Sequence, residues 1–95
     1  MVYQIKFKEK ARKEFNKLDK VIQLRIINYL NKVAESGTPT AFGKGLEEDL
    51  VGLWSYRVAD KYRVVVEIQD DKLIICIVAV GKRETIYDET KKRLK

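Results

Sequence analysis

Hydrophobic and polar positions change their period several times along the chain, and each change marks an element. In residues 2–7, Tyr3, Ile5 and Phe7 alternate with Gln4 and Lys6, which is the period of a half-buried strand. From 8 to 18 the apolar positions are Ala11, Phe15 and Leu18, at helical spacing, so an amphipathic helix follows. Asp19 stands where an N-cap is expected. Beyond it Ile22, Ile26, Leu30 and Val33, flanked by Ile27 and Ala34, predict a second helix that Ser36 and Gly37 bring to a stop. The short joint between them predicts an antiparallel helical hairpin.

Residues 38–52 hold the only proline and three of the five glycines, show no sustained period, and read as a surface connection. Three strand-like runs rich in Val, Ile, Tyr and Trp follow, at 53–59, 62–69 and 72–80. Their linkers, around Asp60 and at Asp70-Asp71, are so short that consecutive strands should pair antiparallel. The charged segment 85–95 predicts a closing helix with Tyr87 near its start. The order β-α-α-β-β-β-(α) predicts an α+β fold: an antiparallel sheet with the helical hairpin on one face, formed by a single domain over 1–95.

Composition narrows the chemistry. The chain has 95 residues and carries 20 Lys and Arg against 14 Asp and Glu, a formal net charge of +6 with no histidine. Such an excess favours nucleic acid, acidic proteins or anionic membrane as partners, and equally serves plain solubility. Cys76 is the single cysteine, lies inside the apolar run LIICIVAV, and has no partner for an internal disulfide. Without histidine, the usual zinc and haem sites and the histidine-dependent triads are excluded, so no metal or other cofactor is expected. The start MVYQIKFKEK lacks the apolar stretch of a signal peptide, and no apolar run approaches the roughly 18 residues of a membrane span. A soluble, cytoplasmic protein is expected, without a membrane partner.

The register of the strands says where the positive charge lands. A turn centred on Asp60 pairs Trp54 with Val66, Tyr56 with Val64 and Val58 with Tyr62, and the apolar set should meet the helices. The same register places Arg57 directly opposite Arg63. Like charges so placed cost from a few tenths to about 1 kcal/mol, a cost most readily tolerated where an anion sits between them. A second turn centred on Asp70-Asp71 sets Tyr62 opposite Ala79, with Arg83 a few residues on. Arg57, Arg63 and Arg83 then converge, with Lys61 or Lys82 beside them and Tyr87 arriving from the closing helix. Arginine forks match two phosphate oxygens at once. The plainer alternative, a solvated basic face with Glu67, Glu84 or Asp60 alongside, stays open on these grounds.

RNA cleavage without a metal requires a base for the 2′-hydroxyl, donors for the charge growing on phosphorus, and an acid for the leaving 5′-oxygen. A lysine crowded by like charges loses some preference for its charged form, and arginines stabilise the phosphorane-like charge. Tyr87 suits proton donation or stacking on a base, or simple core packing. Trp54 reads as core.

The pieces WSYRV, KYRVVVEI and VAVGKRETIY, with the opening strand, the LDK joint and the basic tail, resemble the RelE toxins of the larger RelE/ParE superfamily. The resemblance spans nearly the whole chain. It implies a small antiparallel sheet with two packed helices, and a ribosome-dependent endoribonuclease that cleaves mRNA in the decoding site without metal, leaving a 2′,3′-cyclic phosphate. It carries the family's phosphate-binding arginine to Arg63, the arginine after the glycine–lysine pair to Arg83, its closing tyrosine to Tyr87, and a basic strand position to Arg57, the catalytic set. The best-studied pattern has two lysines where this chain has Ser55 and Arg57. Because arginine is a poor general base, Lys44, Lys61 or Lys82 is left to stand in, and with Ser55 these form the expected RNA- and ribosome-contacting set.

The resemblance further implies a RelB-like antitoxin that wraps the domain and displaces or blocks the closing helix, with the apolar surface under Ile86, Tyr87 and Leu94 as a contact; the more conservative alternative, an ordinary helix-to-core contact there, stays open. Operator DNA would be bound only through the toxin–antitoxin complex. Two other readings fit the same scaffold: a ParE-like inhibitor of DNA gyrase, and a catalytically weak relative that only binds antitoxin or RNA.

Overall fold

The computed structural model describes residues 2–93. Strand β1 (Gln4–Phe7) leads into helices α1 (Glu9–Asn16) and α2 (Lys20–Ser36). A 3₁₀ turn (Pro39–Ala41), the two-residue strand β2 (Lys44–Gly45) and a second 3₁₀ turn (Glu48–Leu50) follow. Strands β3 (Leu53–Val58), β4 (Tyr62–Gln69) and β5 (Ile74–Lys82) and helix α3 (Ile86–Arg93) complete the chain. The five strands form one sheet in the order β1-β5-β4-β3-β2. The meander from β2 to β5 is antiparallel, as the short turns require, whereas β1 pairs parallel with β5, Gln4 opposite Ile74 and Phe7 opposite Ile77. The helical hairpin supplies the long crossover that a parallel neighbour requires. Among the described residues no helix is long and apolar enough to cross a membrane.

The helical joint departs from expectation in one detail. Asp19 occupies the N-cap position of α2 but makes no side-chain cap. Instead Gln23 reaches back from α2, its amide Nε2 donating to the carbonyls of Phe15 and Leu18 at 3.0 Å each. The end of α1 thus gains a donor from the next helix, the Phe15 carbonyl also accepting the Leu18 N–H at 3.1 Å. At its other end α2 stops at Gly37, whose φ of 75° is the left-handed conformation that glycine adopts without a Cβ clash.

The β3–β4 hairpin has the register read from the sequence: Trp54 opposite Val66, Tyr56 opposite Val64, Val58 opposite Tyr62, and Arg57 opposite Arg63. The β4–β5 hairpin does not. Its loop is four residues, Asp70 to Leu73, with Leu73 at φ 54°, so Gln69 pairs with Ile74. A bulge between Val65 and Val66 then shifts the partner again, and Tyr62 faces Lys82 rather than Ala79. The bulge also turns the consecutive residues Val78 and Ala79 into the same cluster, so β5 changes its parity midway.

That parity change matters because both sheet faces are covered. Ile26, Leu30 and Val33 of α2 and Ala11 and Phe15 of α1 pack on Tyr56, Val64, Val66, Ile75 and Ile77. On the opposite face Ile86 of α3 joins Leu50, Leu53, Val65, Val78 and Ala79. Burying a Val or Ile side chain contributes about 1.5–3 kcal/mol each, so both layers bind the sheet firmly. Helix α3 is latched at its far end: the Arg93 guanidinium meets Glu14 of α1 at 2.7 Å and donates to the Val78 carbonyl at 2.9 Å. The Glu14 carboxylate in turn accepts the Val80 N–H at 3.2 Å.

Candidate functional site

The residues singled out from the sequence lie at the end of the sheet where β3, β4 and the chain leaving β5 meet. Arg57 projects from β3 on the face opposite Tyr56, and Arg63 from the facing position on β4. Between these strands, Ala59 and Asp60 both adopt positive φ, at 52° and 59°. The turn thereby folds the Asp60 carboxylate back toward β3, where Arg57 Nη2 donates to it at 2.6 Å. The anion anticipated between the two arginines is thus supplied by the chain itself. Arg63 Nη1 donates to the Asp60 backbone carbonyl at 2.8 Å and to that of Tyr62 at 3.0 Å, fixing its guanidinium over the same turn.

Arg83 joins from β5. Its N–H donates to the Lys61 carbonyl at 3.0 Å, which ties the exit of β5 to the turn, and its guanidinium lies 3.5 Å from Glu84. The hydrogen bond from Arg57 and its positive charge hold the Asp60 carboxyl below its ordinary value, and the charges of Arg83 and Arg63 act in the same direction. One carboxylate therefore feels three arginines.

On the other side of Arg57 the sheet is closed by β2. Lys44 pairs with Ser55, and Gly43 makes this possible: at φ 67°, a Cβ there would collide with the Ser55 carbonyl and the Tyr56 ring. The Tyr56 hydroxyl donates to the Pro39 carbonyl at 2.8 Å, anchoring the segment from behind. The connection read from the sequence as an aperiodic surface stretch is thus pinned against β3, and it delivers Lys44 to the site.

Tyr87 arrives from the first turn of α3, its hydroxyl 3.0 Å from Ser55 Oγ. Gly43, Lys44, Ser55, Arg57, Arg63 and Tyr87 together line a concave pocket of about 320 Å³. Ser55 is only 5% exposed, so it faces Tyr87 rather than offering itself broadly to a partner. Lys61 and Lys82 are exposed but do not line the pocket. Ile86 is 1% exposed because it plugs the core beneath α3, the helix-to-core alternative rather than an open contact surface, and a partner would reach it only by lifting that helix. Leu94, its expected companion, lies outside the described residues.

Two residues that matter here were not singled out as functional by the sequence. Gly43 resembled any loop glycine, and its constraint is a contact with β3 that no local pattern reveals. Asp60 was legible as the centre of a turn and as one of several nearby carboxylates, but its bond to Arg57 depends on the left-handed turn. Among the described residues no group of three or more Cys, Asp and Glu side chains is placed to hold a metal ion.

Comparison with known proteins shows the family and the fold. Residues 5–87 match the family described as ParE toxin of the type II toxin–antitoxin system parDE. A RelE-like toxin protein of Escherichia coli is 37% identical over the full length of both chains. The mRNA interferase toxin RelE of Escherichia coli K12 is 30% identical over 99% of each. In solved structures, a doubly substituted Escherichia coli RelE in its free state superposes with a TM-score of 0.76 at 27% identity, covering all of both chains. The toxin of the RelBE2 complex of Mycobacterium tuberculosis gives 0.77 at 26%, covering 87% of this chain and all of that one. The chain belongs to the RelE/ParE superfamily, the toxins of type II toxin–antitoxin systems.

Proposed function

We propose that this chain, as a single toxin domain, is a ribosome-dependent endoribonuclease of the RelE kind, which inhibits translation by cleaving mRNA in the decoding site. The observation that carries the reading is the pocket in which Lys44, Arg57, Arg63 and Tyr87 converge, with Arg83 drawn to the same turn. Relatives named mRNA interferase at 30% identity support it.

In this mechanism the 2′-oxygen loses its proton and attacks phosphorus while the bond to the 5′-oxygen breaks, leaving a 2′,3′-cyclic phosphate and a 5′-hydroxyl. Arg63 and Arg83, with Arg57, stabilise the charge that develops on the phosphoryl oxygens. Tyr87 donates a proton to the leaving 5′-oxygen, and Ser55 holds its phenol in position. Lys44 lines the pocket, and its neutral amine form is assigned to take the 2′-hydroxyl proton, becoming the ammonium. None of these steps requires a cofactor.

The partners follow from the same reading. Solved relatives include the intact RelBE toxin–antitoxin complex of Escherichia coli, at 27% identity and TM-score 0.69. A RelB-like antitoxin that engages α3 and uncovers Ile86 would neutralise this chain, and operator DNA would be met through that complex. The protein acts in the cytoplasm, where ribosomes and message are.

The match to ParE toxins favours one competing reading, inhibition of DNA gyrase by the same scaffold. Parallel assays of translation and of plasmid supercoiling separate the two. Arrest of translation with supercoiling unaffected supports the endoribonuclease, and the reverse supports the gyrase inhibitor.

A further inference from the structure

We propose that Asp60 is a built-in counter-ion that occupies the arginine site of the free protein and sets its affinity for phosphodiester, which must displace the carboxylate from Arg57. The inference rests on the reading of this site as one for RNA phosphate.

The geometry supports a contact made to be exchanged. The Arg57–Asp60 bond is short, at 2.6 Å, yet both side chains stand in water, 67% and 78% exposed. Exposed pairs of this kind contribute little net stability, so nothing in the fold depends on keeping it closed. Arg63 is held differently, by two neutral backbone carbonyls of the turn rather than by a carboxylate. Arg57 is therefore the guanidinium of the pair whose partner is itself an exchangeable anion. A phosphate drawing on Arg57, Arg63 and Arg83 together would compete with a carboxylate already lodged among them.

A turn residue with no such role would behave otherwise. Asp60 sits at φ 59°, a conformation that asparagine also tolerates, so Asp60→Asn removes the charge while keeping the size and the turn. Removing a purely structural residue leaves affinity unchanged or weakens it. Removing a resident competitor strengthens it.

The test uses the full-length protein and a short 2′-O-methyl RNA, which presents phosphodiesters but cannot be cleaved, with binding followed by fluorescence anisotropy at low ionic strength. Asp60→Asn is expected to bind about three- to tenfold more tightly than wild type, with the gain shrinking as salt rises. In an Arg57→Gln background the gain is expected to vanish, because the competition runs through Arg57. Matching thermal unfolding midpoints exclude a folding artefact. If Arg63→Ala weakens binding but Asp60→Asn brings no gain, the counter-ion role is overturned while the RNA site stands. If Arg63→Ala binds as well as wild type, the RNA site itself fails, and the role of Asp60 with it.

Discussion

The Ser55 hydroxyl and the Tyr87 phenol lie 3.0 Å apart, joining the middle of β3 to the first turn of α3. A small, nearly buried hydroxyl here sits against the tyrosine and orients it. If Tyr87 donates the proton to the leaving oxygen, Tyr87→Phe lowers the single-turnover cleavage rate about 10²-fold or more, within the range of general acid catalysis. Ser55→Ala removes one orienting hydrogen bond and lowers the same rate about three- to tenfold. Equal losses in the two variants would contradict this division of roles.

The latch at the far end of α3 holds Tyr87 indirectly. Arg93 is 15% exposed and bonded to Glu14 and to the Val78 carbonyl beside the β5 bulge. Replacing Arg93 by Met leaves a half-buried carboxylate without its partner and is expected to destabilise the fold by about 1–3 kcal/mol. Urea unfolding measures this, and a loss no larger than that of Lys92→Met would show that the latch contributes nothing special.

Gly43 tests whether the loop before β3 is fixed. Any side chain there meets the Ser55 carbonyl and the Tyr56 ring, in addition to the cost of positive φ. Gly43→Ala is expected to cost about 2 kcal/mol or more. Gly52→Ala, at a positive φ of 95° but in open space, isolates the backbone contribution and should cost less.

Asp60 gives a pH signature. Its carboxyl is held below the ordinary value first by the Arg57 hydrogen bond and charge, then by Arg83 and Arg63. Because the folded value is depressed, the Arg57 contact is present above the ordinary carboxylate value and is lost as pH falls through the lowered one. Carbon-detected NMR titration should find Asp60 titrating below an ordinary aspartate, and Arg57→Ala should bring it back up. An unchanged midpoint in that variant would contradict the assignment of Arg57 as the main cause.

Much of this site was legible because the β3–β4 turn is tight: its length fixes the register, and the register alone sets Arg57 opposite Arg63. The β4–β5 pairing was not legible, since a four-residue loop and a bulge each shift the partner without leaving a periodic trace. β2 has two residues, too few to show a period, and its place is set by Gly43 packing on β3. The covering of the second sheet face by α3 was legible only as the conservative alternative of a helix-to-core contact under Ile86. Val65 and Val78 read as ordinary strand residues, and only the closing helix shows what buries them. Long-range contacts of this kind, Tyr87 with Ser55 and Arg93 with Glu14, are tertiary facts with no local signature.

Cleavage of message on the ribosome is the activity assigned to the arginine site. It is tested most directly by adding purified protein to a translation reaction programmed with a defined mRNA and mapping new 5′ ends, with Arg63→Ala, Arg83→Ala and a ribosome-free control alongside. Cuts confined to the decoding site, dependent on ribosomes and lowered at least tenfold in both variants are expected, a loss of transition-state stabilisation of about 1.4 kcal/mol or more each. Intact message in the presence of wild-type protein and active ribosomes would contradict it.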